Sequence, residues 1–298
     1  MTLSQLISKW RGILKDVNYP QLWSDEDLAF YANDTIDELT EELYLIEDSG
    51  TQTLSASISF TATTKTITRA AGSFIADGYK VGMPIITTST NNPAFTIATV
   101  SALTMTVEET VVDEVAGTDS IYDAVCHIKI LADGTFLYSI NDRIIRISRA
   151  KLANEGSPLQ ILRTDCVATM DATYLGWESA AVSTPHTILT EGVGTSKIRI
   201  YPPAKTADIL KLIVFRNQLV PLNVSEPDAS PEIPEKFHKY LDNGVYKRCY
   251  SIDDQEILKA GLAEKYRGLF EKDKDDIRKK LIKRNYSDQT ATPPLGVL

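Results

Sequence analysis

The feature that most constrains the fold is a change in sequence character between residues 51 and 118. This stretch is rich in Thr, Ser, Ala, Val and Ile, carries few charged residues, and consists of short runs separated by Gly, Asn, Pro and Asp. Short β-branched runs between turn-forming residues are typical of strands joined by turns. We therefore predict a small β-domain over residues 51–118, inserted into a chain of different character. The alternative is that these strands belong to the sheet of the main domain.

The sequence before the predicted insertion has helical periodicity. Apolar residues recur at intervals of three and four from Leu3 to Leu14 and again from Leu28 to Leu43, and this spacing places them on one buried helix face. Ser24 stands at the position of an N-cap, and three acidic residues follow it in the first turn, where both kinds of side chain stabilise a helix. Two N-terminal helices are therefore predicted.

Residues 119–222 favour strands. In "KIRIY" (197–201) polar and apolar residues alternate, so Ile198 and Ile200 should share a buried face. A second run, "ILKLIVF" (209–215), follows after the turn-like segment "KTAD". We predict that these two segments form a pair of strands connected by that turn.

The C-terminal part of the chain is predicted to be helical. Pro234 suits the first turn of a helix because its missing N–H is not needed there, and apolar residues from Phe237 to Cys249 mark a buried face. A long helix should follow from about Asp254 to Arg284. Its second half, "EKDKDDIRKK", is almost entirely charged, and a helix that is polar all round is either surrounded by solvent or docked on a charged partner. We interpret this end as an element that a neighbouring subunit or partner holds.

These elements define the predicted organisation. The fold class is α+β, with a helical core made of the N-terminal helix pair and the long C-terminal helices, a β-sheet in the middle, and the inserted β-domain. The core domain is discontinuous and comprises residues 1–50 and 119–286. The insertion comprises residues 51–118, and residues 287–298 form a C-terminal docking tail.

Charge is distributed unevenly along this acidic chain, which carries a net charge of −9. The net charge is −8 for residues 1–50, −3 for 51–120, zero for 121–230 and +2 for 231–298. A protein that grips nucleic acid needs a basic patch to displace counterions from phosphate. The one candidate run is "RKKLIKR" (278–284), and it fits the C-terminal end of a solvated helix at least as well, because cations complement the helix dipole there.

The sequence contains no recognisable catalytic or cofactor-binding constellation. The three histidines lack the spacing of metal ligands, and the three cysteines are widely separated, which argues against a disulfide framework. The segment "EGVGTSK" (191–197) lacks the glycine spacing of a phosphate loop and ends in a predicted strand. We expect no cofactor, no metal and no enzymatic activity. The longest apolar runs are too short to cross a bilayer, so we expect a cytosolic protein without membrane contact.

Six segments of the chain, taken in order, carry a resemblance to a known family. They are "LWSDEDLAFYANDTIDELTEEL", "DGTFLYSINDRIIRISRAKL", "IRIYPPA", "LKLIVFRNQLVPL", "PEIPEKFHKYLDNGVYKRCY" and "DQEILKAGLAEKYRGLFEK". In this order they resemble the head-to-tail adaptor proteins of tailed bacteriophages, also called head-completion or connector proteins. The helix start "EIPEKFHKYL" is the most specific of these pieces. Residues 51–118 separately resemble a small β-module that recurs as an insertion in phage structural proteins.

The resemblance implies a structural virion protein of the neck, between head and tail, assembled in the host cytoplasm. Such adaptors form an oligomeric ring, commonly of twelve subunits, beneath the portal protein. The ring closes the filled capsid, attaches the tail and lets the genome pass. The implied partners are further copies of the chain, the portal protein, and tail, nozzle or fibre proteins. Double-stranded DNA would pass through the channel without specific binding.

Two sets of residues are predicted to make these contacts. Acidic walls repel phosphate, so we expect the acids of the first two helices to line the channel or a contact between subunits: Asp25, Glu26, Asp27, Asp34, Asp37, Glu38, Glu41 and Glu42. We expect the C-terminal helix and tail to bind the portal protein through basic residues and an apolar anchor: Lys272, Lys274, Arg278, Lys279, Lys280, Lys283, Arg284, Tyr286, Pro293, Pro294, Leu295, Val297 and Leu298.

Two other functions are compatible with the sequence. The protein is alternatively a tail or neck component whose β-domain binds carbohydrate or a tail fibre. The few aromatic residues of that domain, Phe60, Phe74, Tyr79 and Phe95, give little platform for sugar stacking, and we expect them in its core. The other alternative is a virion hydrolase that cuts cell-wall polymer, although no catalytic constellation supports it.

Overall fold

The computed structural model describes residues 1–18, 21–51, 53–89, 91, 94–132, 134–152, 161–251 and 260–289, the last range with side chains over 261–282. The chain forms two units, which are described separately. Met1–Ile46 and Pro221–Leu298 form the helical unit, and Glu47–Val220 form the β unit. Five α-helices and fourteen strands within the described residues confirm the predicted α+β class.

The helical unit begins with two helices, α1 (Leu3–Leu14) and α2 (Asp25–Leu43). Thr2 and Ser24 are their N-caps, and each takes part in a capping box. In a capping box the cap hydroxyl accepts a hydrogen bond from the backbone N–H of the third helical residue, whose side chain bonds back to the cap. These two helices confirm the prediction made from apolar periodicity and from Ser24.

The C-terminal helices follow Pro234. A short 3-10 helix (Glu235–Tyr240) leads directly into α4 (Leu241–Cys249), and α5 (Ala260–Gln289) completes the unit. Pro234 is the N-cap of the 3-10 helix. The predicted start of the helical segment is therefore confirmed, but its first turns are 3-10 and not α-helical. The predicted beginning of the last helix near Asp254 lies outside the described residues.

One apolar core joins the helices of this unit. It combines the buried faces of α1, α2, α4 and α5 with the 3-10 helix. Its largest fully buried side chains are Trp10, Phe237 and Phe270. Burying a side chain of this kind contributes about 1.5–3 kcal/mol, so tertiary packing stabilises these helices more than their intrinsic propensity does.

The β unit contains fourteen strands and one further α-helix among its described residues. The helix, α3, spans Val167–Thr173. The strands are β1 (Glu47–Asp48), β2 (Thr53–Thr61), β3 (Thr66–Arg69), β4 (Pro84–Thr87), β5 (Phe95–Val100), β6 (Thr104–Val107), β7 (Glu114–Asp123), β8 (His127–Ile130), β9 (Leu137–Ser139), β10 (Ile144–Leu152), β11 (Ile161–Cys166), β12 (Thr187–Glu191), β13 (Lys197–Tyr201) and β14 (Asp208–Arg216).

Six of these strands close into a small barrel. Their order is β2-β3-β6-β5-β4-β7, and β7 pairs with β2 to complete the circle. Phe60, Phe74, Tyr79 and Phe95 are all buried in its core, as predicted. The barrel occupies the sequence position of the predicted insertion, although its last strand continues to Asp123. That this region is a separate inserted module stays a prediction, as do the core-domain boundaries and the docking tail.

The remaining strands form an eight-stranded mixed sheet. Its order is β1-β14-β10-β11-β12-β13-β9, and β8 also pairs with β14. The β11–β12 pair is parallel, and α3 lies in the crossover between these two strands. Ile198 and Ile200 of β13 are buried in the core of the sheet, which confirms the face predicted from their alternation.

The predicted pairing of residues 197–201 with 209–215 is wrong. Both segments are strands, but β13 pairs with β12 and β9, whereas β14 pairs with β10, β1 and β8. Alternation of apolar residues fixes which face of a strand is buried, and it carries no information about which strand lies alongside. The connection after β13 therefore leads to the other part of the sheet.

Candidate partner-binding surface of the helical unit

Acidic residues of α2 and basic residues of α4 and α5 meet in the helical unit. Glu38 accepts hydrogen bonds from three cations: Lys274 Nζ at 2.7 Å, Lys247 Nζ at 3.0 Å and Arg248 Nη2 at 2.8 Å. Lys274 Nζ also donates to Glu42 Oε1 at 2.7 Å. We call these five residues the ion cluster.

The two central members of the ion cluster favour each other's charged forms. Burial alone would raise the pKa of Glu38, but the hydrogen bonds from Lys274, Lys247 and Arg248 outweigh it and lower that pKa to about 2. Burial lowers the pKa of Lys274, yet the bonds to Glu38 and Glu42 reverse this and leave it raised. Both residues are therefore charged at neutral pH.

Apolar packing accompanies these charges along one face of α5. The side chain of Lys274 is only 3% exposed, and Phe270 and Ile277 are fully buried on either side of it. The ammonium groups of Lys274 and Lys247 lie 4.9 and 4.7 Å from the centre of the Phe270 ring, a distance typical of cation–π contacts. Lysine thus buries its aliphatic stem between two apolar residues.

This packing corrects the prediction that the charged half of α5 must be held by another protein. Through residue 282, where side chains are described, the helix packs on its own chain, and the acidic partner is α2. The prediction was wrong because it placed every lysine on the exposed face. Lys274 is four residues after Phe270 and three before Ile277, so it lies on the same buried face of the helix. Lys274 is accordingly turned inward and is not part of the exposed surface.

Gly244 permits the close approach of the helices around the ion cluster. A β-carbon at this position would lie 2.3 Å from Cγ2 of Thr35 and 2.9 Å from Cε2 of Phe270, well inside normal contact distance. One turn later on α4, Arg248 reaches the hydroxyl of Thr35 and the carbonyl of Asp34, each at 3.1 Å. The absence of a side chain at Gly244 therefore brings α4 within bonding distance of α2.

The other predicted portal-binding cations differ in exposure. Lys272 and Lys279 are exposed, the latter to 76%. Arg278 is 46% exposed and pairs with Glu42 and Asp275, while Lys280 is exposed and donates to the hydroxyl of Tyr240. The remaining predicted residues lie where side chains are not described or outside the described residues altogether: Lys283, Arg284, Tyr286, Pro293, Pro294, Leu295, Val297 and Leu298.

The predicted acidic surface of α2 divides into two groups. In the first group the acids pair with cations of the helical unit itself; they are Asp25, Asp34, Glu38 and Glu42. In the second group Glu26, Asp27 and Glu41 are exposed, and Asp37 is partly buried. The exposed acids of the second group are placed to present their charge to another molecule.

Sequence reasoning missed the α4 half of this arrangement. The sequence patterns do not predict a role for Lys247, Arg248 or Gly244. The available signal was weak: two adjacent cations and a glycine stand within one helical stretch beside the buried face. No local pattern connects Lys247 to Glu38, because the two residues are 209 positions apart.

The described residues offer no metal-binding arrangement. No group of three or more His, Cys, Asp or Glu side chains among them is placed to hold a metal ion, and none of the helices they form is both long and apolar enough to span a membrane. Burial raises the pKa of the free thiols of Cys126 and Cys249, which suits unreactive packing residues.

Comparison with known proteins defines the class of this protein. The family described as SU10 adaptor protein matches residues 1–295. A match over this length makes the chain a structural adaptor protein of bacteriophages. It belongs to the SU10 adaptor protein family, and membership implies interaction with phage portal and tail proteins at the virion neck.

The other comparisons add nothing to this conclusion. No curated protein matches the chain. A solved structure described as "MreC Lysteria monocytogenes" is 14% identical, and the match covers 72% of this chain and 91% of that one with a TM-score of 0.16. A score that low carries no argument about fold or function.

Proposed function

We propose that this protein forms the head-to-tail connector ring beneath the portal protein. Copies of the chain, commonly twelve in such adaptors, would assemble side by side, close the filled capsid, attach the tail and leave a channel through which DNA passes. The observation that carries this proposal is the family match over residues 1–295. Ring contacts between like subunits join two different patches, and the charge difference between α2 and the exposed end of α5 supplies such patches.

The portal contact in this proposal rests on the exposed cations of α5. Lys272 and Lys279 carry most of it, although Lys279 also pairs with Asp276 at 3.7 Å. Arg278 and Lys280 lie beside them with closer partners in their own chain. Lys274 has a different role, since it holds α5 on α2. The portal surface would then be acidic, and the C-terminal tail, residues 287–298, would add an apolar anchor.

Charge reversal on α5 tests the portal contact. The double variant Lys272→Glu, Lys279→Glu should lose most of its binding to purified portal protein, measured as co-elution or by light-scattering mass. The matched control is Lys265→Glu, Arg267→Glu, which reverses two exposed cations in the first part of the same helix. Equal loss in both variants would show that total charge, and not this surface, governs binding.

A truncation tests the contribution of the tail. Protein ending at Asn285 should fold but fail to complete filled heads, since it lacks the proposed anchor. A truncated protein that completes heads as well as the full chain does would contradict the proposed tail contact.

The acidic residues have a second role in the proposal, which is to keep DNA from adhering. Glu26, Asp27, Glu41 and Glu42 are the exposed members of the predicted set, and Glu42 is paired with Lys274 and Arg278. Their repulsion of phosphate reaches about 8 Å at physiological ionic strength, so it acts only on DNA close to the channel wall. Replacing Glu26 and Glu41 by Lys should make assembled particles retain DNA during ejection, and unchanged ejection would place these acids elsewhere.

Neither alternative function gains support from the structure. The four aromatic side chains of the barrel, Phe60, Phe74, Tyr79 and Phe95, lie in its core, so they do not form a surface on which sugar rings stack. The family is a structural one, which gives no support to a hydrolase.

A further inference from the structure

The helical unit contains an open cavity of about 500 Å³ between α1, the 3-10 helix, α4 and α5. Three tyrosines and three carboxylates provide most of its functional groups: Tyr240, Tyr246, Tyr266, Asp242, Asp273 and Asp276. Aromatic and anionic groups around one opening favour an organic cation, because ring faces and carboxylates both attract positive charge.

Tyr246 supplies an independent sign that the cavity takes a ligand. Its side chain is 2% exposed, and its hydroxyl has no hydrogen-bond partner among the described residues. Buried hydroxyl groups are nearly always bonded, because leaving one unpaired is costly. Tyr246 lines the cavity, and its ring packs edge-to-face on Tyr266 with centroids 5.1 Å apart. Because the oxygen itself is buried, a donor group entering the cavity would satisfy it after a small shift of the neighbouring side chains.

The carboxylates differ in how far the protein itself neutralises them. Asp242 accepts from the Trp10 indole at 2.9 Å and pairs with Lys9. Asp273 accepts only a neutral amide bond, from Asn243 at 2.6 Å, among the contacts described for it. Burial raises the pKa of Asp273, and the nearby charges of Asp276 and Asp242 raise it further. A cation bound beside Asp273 would therefore favour the charged form of this carboxyl group.

Asp276 is also only weakly compensated. Its ion-pair partner is Lys279 at 3.7 Å, on the solvent side of α5. Lys239 lines the cavity as well, and its ammonium group and that of Lys280 each lie 4.9 Å from the centre of the Tyr240 ring. The rings left for a ligand are therefore those of Tyr246 and Tyr266. A metal ion does not fit, since none of the described acidic groups converges as metal ligands do.

We propose that this cavity binds the guanidinium group of an arginine side chain from a partner protein. A guanidinium group is planar, stacks on tyrosine rings and donates through five N–H groups. Carboxylate oxygens of Asp273 and Asp276 and the Tyr246 hydroxyl are the matching acceptors. An ammonium group is compact and strongly hydrated, and it uses the ring faces less well. The proposal concerns the isolated chain and does not depend on the connector ring.

Short peptides test the proposal directly. The probe is acetyl-Gly-Arg-Gly-amide, with the lysine and citrulline peptides and spermidine as comparisons, because citrulline keeps the shape of arginine without its charge. The reporter is the side-chain amide resonance of Asn243 in proton–nitrogen NMR spectra of the full chain. We expect saturable shifts with the arginine peptide and at least about tenfold weaker binding of the citrulline peptide. Absence of shifts, or equal binding of citrulline or spermidine, would overturn the proposal.

Three variants locate the binding within the cavity. The double variant Asp273→Asn, Asp276→Asn should bind the arginine peptide about tenfold less tightly. Asp275→Asn is the matched control, since Asp275 is 61% exposed on the same helix, pairs with Arg278 and lies outside the cavity. Equal weakening in the control would overturn the assignment.

Tyr246→Phe separates a ligand-binding hydroxyl from a structural one. Because the hydroxyl is unpaired, removing it should leave the melting temperature unchanged or higher, while peptide binding weakens several-fold. A variant that loses stability and binds the arginine peptide normally would show that the hydroxyl serves the fold and not the ligand.

Discussion

The barrel and the helical unit bury aromatic side chains in similar ways, but they treat charge differently. In the barrel the buried cation Arg69 pairs with Asp77 and covers the ring of Phe74 at 5.0 Å. The helical unit brings five charged residues together where α2, α4 and α5 meet, with Lys274 almost completely buried. Each unit therefore solves the same packing problem with different interactions.

The difference reflects how each kind of structure fixes its alignment. In the barrel, ladders of backbone hydrogen bonds set the register of every strand, and a slip by one residue would turn the core side chains outward. Helices packed by apolar stripes have no such ladder, so they can slide or rotate at modest cost. We infer that the ion cluster selects one alignment of α5 on α2, which is the best-attested use of buried polar groups.

The largest effect should come from the apolar side of this comparison. Phe95→Ala removes a fully buried ring from the barrel core, and we expect a loss of about 3–5 kcal/mol in the unfolding free energy of the β unit. Urea denaturation followed by circular dichroism measures it. The loss should be the same at low and high salt, and a strong salt dependence would break the distinction between the two units.

Gly244→Ala should have the next largest effect. The added methyl group would lie 2.3 Å from Thr35, and overpacking of this kind costs up to about 3 kcal/mol. The matched control is Gly268→Ala on α5, where a β-carbon meets nothing within 4 Å and better helix propensity should stabilise by up to about 1 kcal/mol. The melting temperatures of the two variants distinguish these effects. If both substitutions raised the melting temperature, α4 and α2 could move apart at little cost.

The features that could be predicted from the sequence are those set by nearby residues. The α1 and α2 helices follow from apolar periodicity, and the N-cap at Ser24 follows from the residues beside it. Phe60 and Phe95 of the barrel lie on strands with alternating burial, whereas Phe74 and Tyr79 lie in the connection between β3 and β4. For the helices and these two strands the cause lies within a few residues, so a local pattern was sufficient.

The features that could not be predicted depend on residues far apart in the chain. Several strands of the sheet have similar alternation of apolar and polar residues. The sequence therefore does not show that β13 and β14 pair with other strands and not with each other. The partner of Lys274 is Glu38, 236 positions earlier. A polarity pattern also assigns a lysine to the surface, so it does not predict that Lys274 is buried. The cavity needs Tyr246 from α4 and Asp273 from α5 together, which only the folded chain supplies.

Lys274→Met tests the charged side of the comparison. Methionine keeps the length of the stem but removes its charge, so Glu42 loses its closest partner while Glu38 keeps Lys247 and Arg248. We expect a loss of about 2 kcal/mol, below the cost of isolating a buried charge completely. The control is Lys279→Met on the exposed face of α5, which should lower the unfolding free energy by no more than about 0.5 kcal/mol. Equal losses would show that the burial of Lys274 adds nothing.

The smallest effect should be the dependence of the ion cluster on pH. The pKa of Glu38 is lowered from 4.5 to about 2, so its stabilising contribution is fully present above pH 4.5 and disappears as the pH falls towards 2. The difference in unfolding free energy between the native chain and Glu38→Gln should therefore shrink over this interval, by about 1 kcal/mol after allowance for solvent screening. Glu264→Gln, on the exposed surface of α5, is the control and should change little. Parallel stability profiles for the native chain and Glu38→Gln would mean that the three cations around Glu38 do not stabilise its charge, and that apolar packing alone aligns α5 on α2.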